Sequence, residues 1–248
     1  MVVRYLLFLA AWLAAFSAVG LKSVRADNVV VAISQSKPPY VIEEGEMGME
    51  VDIVREALAF KGHRMIPRFM PQRRILHEYQ YGLVDGIYSV RPFDGLKGFV
   101  TEPTIVYRNF AVSLAKNGLE ISSIADLAGK NVVAFQNAKH FLGEKFSKTV
   151  EKMTDYTEVG DQFSEMRMLF SERVQVAVGD KAILQYFARR VAPYHRDGKT
   201  LVFHAIFPPR PYHSAFLSER IRDDFNEGLR HLRTTGRYED ILAKYDVH

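Results

Sequence analysis

The sequence predicts an α/β fold divided into two lobes. Three observations lead there. Short β-branched runs alternate with amphipathic segments along the chain, the pattern of helices packed on mostly parallel sheets. The alternation starts twice, at "NVVVAIS" (Asn28–Ser34) and about a hundred residues later at "KNVVAFQNA" (Lys130–Ala138). The chain of 248 residues is long enough for two small domains.

The elements follow in order. "NVVVAIS" reads as a buried strand, stopped by Pro38-Pro39, because proline removes a ladder donor and stiffens the backbone. "YVIEEGEMG" is a short excursion around Gly45 and Gly48. "MEVDIVREALAFKG" has helical spacing, with Val51, Val54, Ala57 and Leu58 on one face and Gly62 as its stop. "RMIPRFM" is a strand interrupted by Pro67, and Pro71 opens the helix "PQRRILHEYQYG". "VDGIYSV" and "NFAVSLAKNG" are the next strands. The second half gives the strands "NVVAFQ", "YTEVG" and "VQVAVGD". Between and after them come helices from about Ala138 to Val150, over "QFSEMRMLFSER", and over "KAILQYFARRV". "LVFHAIF" is a last strand. "SERIRDDFNEGLRHLRTTGRYEDILAKY" holds two helices split at Gly236.

Residues 1–26 are expected to be a cleaved signal peptide rather than part of the fold. Arg4 starts it, an apolar run fills Tyr5–Leu21, and Val24 and Ala26 suit the cleavage site. The competing reading is a membrane anchor, for which the apolar run is near the lower length limit. Cleavage removes Arg4, Lys22 and Arg25 and no acid, so the formal charge falls from +4 to +1. A near-neutral mature chain argues against nucleic-acid binding, which needs clustered cations. The absence of cysteine excludes disulfides, thiolate chemistry and a cysteine-linked lipid anchor. The eight histidines have no metal-ligand spacing, and no nucleophile elbow or phosphate loop occurs, so no metal or cofactor is expected.

Several segments, in this order, resemble the periplasmic solute-binding proteins of the polar amino-acid type, the family three receptors of ABC importers. They are "KPPY", "GMEVDIV", "YGLVDGIYSV", "VTEPTIVYRNFAVSLAK", "IADLAGKNVVAFQNA", "SERVQVAVGDKAILQYF" and "TTGRYEDILAKY". The resemblance covers nearly all of the mature chain. It implies a periplasmic-binding-protein-like fold of type II, with two α/β lobes joined by two hinge strands. Lobe one would hold 27–114 and 206–248, and lobe two 115–205, with "VSLAK" and "HAIFPPRPY" as the crossings.

The resemblance also implies a set of ligand contacts. Tyr40 would line the cleft wall and stack on the solute, against the alternative of a core tyrosine. Asp180, just past a strand end, would hold a cationic or hydroxyl group, against the alternative of a helix N-cap. Backbone donors at Asn137 would face an anion, and Gln136 and Ser89 would add hydrogen bonds. "SVRPFDGLKGFVTEP" departs from the family: Asp94 falls where the carboxylate-clamping arginine would stand. Either Arg91 substitutes or the clamp is missing. Arg74 matches an arginine in a branch of orphan members, and a solvated helix face is its alternative. The expected protein is a periplasmic monomer that captures a small polar solute and has an ABC permease or a membrane sensor as partner. The alternatives are a periplasmic dehydratase using Glu50, Glu102 or Asp180 as acid or base, and a docking module with little ligand.

Overall fold

The computed structural model describes residues 26–91, 95–194 and 200–245. Nearly all of the expected leader, and Asp94, lie outside the described residues. Two five-stranded sheets carry the fold. In the first, β1 (Asn28–Ser34) pairs in parallel with β2 (Arg64–Met70) and β3 (Gly86–Val90). Helices α1 (Met49–Ala59) and α2 (Gln72–Gln80) make the crossovers. β10 (Arg210–Phe216) then runs antiparallel to β3 and to the edge strand β4 (Phe99–Tyr107), giving the order β2-β1-β3-β10-β4.

The second sheet repeats the plan. β6 (Asn131–Phe135) lies parallel to β7 (Asp155–Val159) and β8 (Val176–Asp180). β5 (Asn109–Leu114) is antiparallel to β8 and to β9 (Leu201–His204), giving β7-β6-β8-β5-β9. Helices α3 (Ala138–Phe141), α4 (Glu144–Val150), α5 (Gln162–Phe170) and α6 (Lys181–Val191) cover this sheet. The C-terminal helices α7 (Glu219–Thr234) and α8 (Arg237–Tyr245) return to the first half, where Phe225, Leu229, Ile241 and Tyr245 join Val51, Val54 and Leu58 of α1 in one core.

Three details differ from the sequence expectations. The strand Asn109–Leu114 was expected in lobe one, with the crossing at Val112–Lys116. Instead it lies in the second sheet, where Val112 and Leu114 bury against Val133, Leu169 and Ala177. One crossing is the single residue Arg108 between β4 and β5; the other spans 205–209 between β9 and β10. The edge strand β4 went unread because Pro103 sits within it, a position proline tolerates only where a donor need not be supplied. Pro67 likewise leaves β2 unbroken, since β2 is the opposite edge.

Helix α7 crosses α1 at Gly228, where a Cβ would lie 2.0 Å from the Ala57 carbonyl oxygen. Alanine is the better helix former by about 1 kcal/mol, but here the backbone contact decides the sign. Gly228→Ala should destabilise the protein by about 1–3 kcal/mol, read as a lower urea midpoint; an unchanged or higher midpoint contradicts the close crossing.

In the second half, Glu165 of α5 is fully buried, and neither carboxylate oxygen completes a hydrogen bond within the described residues. Burial pushes its carboxyl well above the usual range, opposed only in part by the Val178 amide. The folded chain therefore holds this proton more tightly than the unfolded chain. The stability it contributes is full below the ordinary carboxylate range and is lost as pH rises from there toward the folded value. Glu165→Leu should raise the melting temperature near neutral pH and flatten its decline between mildly acid and alkaline buffers. A lower melting temperature for the leucine variant near neutral pH would contradict this.

Candidate functional site

The carboxyl ends of β1 and β8 face each other between the sheets. After β1 the chain turns through Lys37-Pro38-Pro39, closed by the Tyr40 amide on the Lys37 carbonyl. This corner is locked from below: Gly48 adopts φ 131°, and a Cβ there would sit 2.3 Å from the Tyr40 carbonyl oxygen. Tyr40 is thereby held only 4% exposed, with its ring stacked on Tyr107 at 4.3 Å and 23°. Its hydroxyl donates to Asp180 Oδ1 at 2.9 Å, from the first half to the second.

Asp180 ends β8 and caps α6. Its carboxylate accepts from the Ala182 and Ile183 amides and from the Arg108 amide at 2.8 Å, besides Tyr40. Burial raises its pKa despite these four donors. Burial also pushes the Tyr40 phenol well above its usual value, with the Asp180 carboxylate adding to the effect. Glu50, at the start of α1 and 1% exposed, is another buried carboxylate beside this bridge. It accepts from Ser89 Oγ at 2.8 Å and Tyr107 OH at 3.2 Å. Lys37 Nζ lies 3.9 Å from it and 4.6 Å from the Tyr107 ring centroid. Burial raises the Glu50 pKa, and Lys37 offsets this in part.

Beside this cluster lies a cavity of ≈ 320 Å³ with walls from both halves. Lys37, Tyr107, Arg210 and Tyr212 come from the first half. Asn109, Phe135, Phe141, Gln162 and Asp180 come from the second. A larger cavity of ≈ 630 Å³ runs along α5, but the second half alone builds it. The interlobe cavity is the better candidate, because it meets the strand ends and both crossings.

The expected residues separate in the structure. Asp180 lines the cavity. Tyr40 lies beneath it, with Tyr107 covering one face of its ring, so Tyr107 and Tyr212 form the aromatic wall in its place. Ser89, at φ 59°, spends its hydroxyl on Glu50. Arg74 stands on α2 and pairs with Glu78 at 2.7 Å, away from the cavity. Arg91 is exposed after β3 and does not line it. Gln136 is exposed, with its Oε1 3.4 Å from where a Cβ on Gly160 would sit.

The donors at Asn137 are present but already used. The Asn137 and Lys139 amides bind Glu158 of β7 at 2.8 and 3.0 Å. Burial opposes ionisation of Glu158, yet these amides and the Tyr156 hydroxyl hold it below the usual carboxylate range. These two amides are thus occupied by a side chain of the protein. Of the dehydratase candidates, Glu102 pairs with Arg230 at 2.5 Å, outside the cavity. Among the described residues no group of His, Asp or Glu is placed to hold a metal ion. His63, His204 and His213 instead bond Asp224, Ser113 and the Thr101 carbonyl.

Lys37, Tyr107, Phe135, Phe141, Arg210 and Tyr212 escaped the sequence reading. Tyr107 and Phe135 lie at strand ends, and Tyr107 and Arg210 flank the two crossings, which is a usable signal once the crossings are located.

No family model matches the sequence. It is 27% identical to a "Probable amino-acid-binding protein YxeM" of Bacillus subtilis (strain 168), over 96% of this chain and 93% of that protein. Among solved structures it is similar to a histidine kinase sensor domain with similarity to periplasmic binding proteins. That match has a TM-score of 0.66 and 21% identity, covering 89% of this chain and 96% of the other. An ancestral arginine-binding protein bound to arginine matches with a TM-score of 0.64 and 19% identity, covering 90% and 99%. The fold is that of the periplasmic-binding-protein-like solute-binding domains.

Tyr40→Phe removes the bridge between the halves while keeping the ring stack. Asp180 retains three backbone donors, so the loss should be about 1–3 kcal/mol, measured by denaturant unfolding. A phenylalanine variant as stable as the parent would mean that the bridge carries no free energy.

Proposed function

We propose that the chain is an exported solute-binding protein that traps a small polar solute, an amino acid or a related molecule, between its two halves. The observation that carries this reading is the cavity of ≈ 320 Å³ walled from both sheets at their strand ends. Its size suits a small organic molecule.

The mechanism follows from the crossings. Tyr107, Asn109 and Arg210 border the two crossings and line the cavity, so a solute that touches them reports directly on the hinge. A ligand that contacts both halves stabilises the closed arrangement by its differential affinity for it. In that arrangement Tyr40 and Asp180 act as a latch, and Ile183 of α6 packs into the core of the first half. The aromatic walls take the body of the solute, and Asn109 and Gln162 offer amides.

Binding without turnover is favoured over the dehydratase reading. Glu50 and Glu102 both lie outside the cavity lining, and Asp180, the one candidate acid or base that does line it, already accepts four hydrogen bonds from the chain. The likeness to an amino-acid-binding protein supports the same view. Among the described residues no helix is long and apolar enough to cross a membrane. The proposed partner is an ABC permease with its ATPase, or a membrane sensor.

A thermal-shift screen of amino acids, amines and organic acids tests the reading. A ligand at a hundred times its Kd should raise the melting temperature by roughly 5–10 °C, and magnetic resonance should recover it unchanged. The absence of any shift across the screen, or conversion of the ligand to product, would contradict it.

A further inference from the structure

The charges around the cavity are not those of a site for a zwitterion. Asp180 is its only carboxylate among the described residues; Oδ1 accepts from Tyr40 and the Ala182 and Ile183 amides, and Oδ2 from the Arg108 amide. An incoming ammonium would have to displace Tyr40 from Oδ1 or share Oδ2 with the Arg108 amide. The cations are differently placed. Lys37 Nζ has a long contact to Glu50, at 3.9 Å, and lies over the Tyr107 ring. Arg210 is half-buried, and its side chain makes no hydrogen bond or ion pair among the described residues. Its guanidinium is thus placed to pair with an anion in the cavity.

Register fixes where Arg210 points. It opens β10 directly opposite Tyr107 of β4, and Tyr212 follows two residues on, so all three share one face of the sheet. That face is the cavity wall. Phe135 and Phe141 close the opposite wall, tilted against each other at 6.4 Å. The site therefore offers a planar cationic fork at one point and aromatic rings around it.

Resting on the proposed function, we infer that the solute is an organic acid with an aromatic or branched apolar body. Its carboxylate is clamped by Arg210 from the second crossing rather than by a residue following β3. The guanidinium meets the carboxylate in a bidentate fork, Lys37 adds a point charge, and the body lies between the rings. An α-amino group gains little, because the one carboxylate it could reach already accepts four hydrogen bonds from the chain.

Calorimetric titration with 3-phenylpropanoate, 4-methylpentanoate, L-phenylalanine and 2-phenylethylamine tests this. At least one of the two acids should bind, phenylalanine should bind no more tightly than 3-phenylpropanoate, and the amine should not bind. Arg210→Gln should weaken acid binding by about 10–100-fold, and Arg210→Lys by less. Melting temperatures of the unliganded variants close to the parent's establish that they fold. Acid binding unchanged in Arg210→Gln, tighter binding of the amine or of phenylalanine, or loss on Arg91→Gln instead would overturn the inference and leave the cleft reading standing. So would silence from both acids when another solute of the thermal screen binds. No binding by any solute of that screen would overturn both.

Discussion

A buried carboxylate constrains everything around it. Asp180 sits 6% exposed at the end of β8, and an ion in that position must be surrounded by donors. Two come from its own half, the amides of Ala182 and Ile183 in the first turn of α6, and a third is the amide of Arg108 at the crossing. The fourth is the Tyr40 hydroxyl, and it arrives from the other sheet. That requirement explains the Pro-Pro corner after β1 and the left-handed glycine beneath it. Both serve to hold one phenol where a distant carboxylate needs it.

The same residues tie the bridge to the hinge. Arg108 is the whole of one crossing; its amide bonds Asp180 and its carbonyl accepts from Lys181. Movement at the crossing must therefore disturb the cap of α6 and the Tyr40 contact together. Tyr107 and Asn109, on either side, belong one to each sheet and both face the cavity. In the proposed mechanism, position at the crossing couples the contents of the cavity to the relation between the halves.

Much of this was legible in the sequence. The doubled βα pattern was visible because "NVVVAIS" and "NVVAF" are β-branched runs whose side chains are buried on both faces. Tyr40 and Asp180 were singled out because strand ends in α/β sheets gather ligands; in the structure they bond each other, with Asp180 in the cavity wall and Tyr40 beneath it. What escaped depended on register and on partners distant in sequence. The amides at Asn137 looked available until Glu158, on the neighbouring strand, filled them. Arg74 looked like a ligand group, but Glu78 one turn later holds it on the helix surface. Arg210 and Tyr107 gain their meaning only from being opposite each other across β10 and β4, and Pro103 disguised β4 itself. The crossing was misplaced for a related reason: "NFAVSL" is equally apolar in either sheet, and only its pairing with β8 and β9 decides.

The central claim is that two halves close over a solute at the ends of their strands. Because the sequence contains no cysteine, spin labels can be introduced cleanly at Glu44→Cys in the first half and Lys145→Cys in the second. Pulsed electron–electron distance measurement should give a broad distribution for the free protein, which narrows and shortens when a binding solute saturates it. A distribution that is the same with and without bound solute would contradict the account.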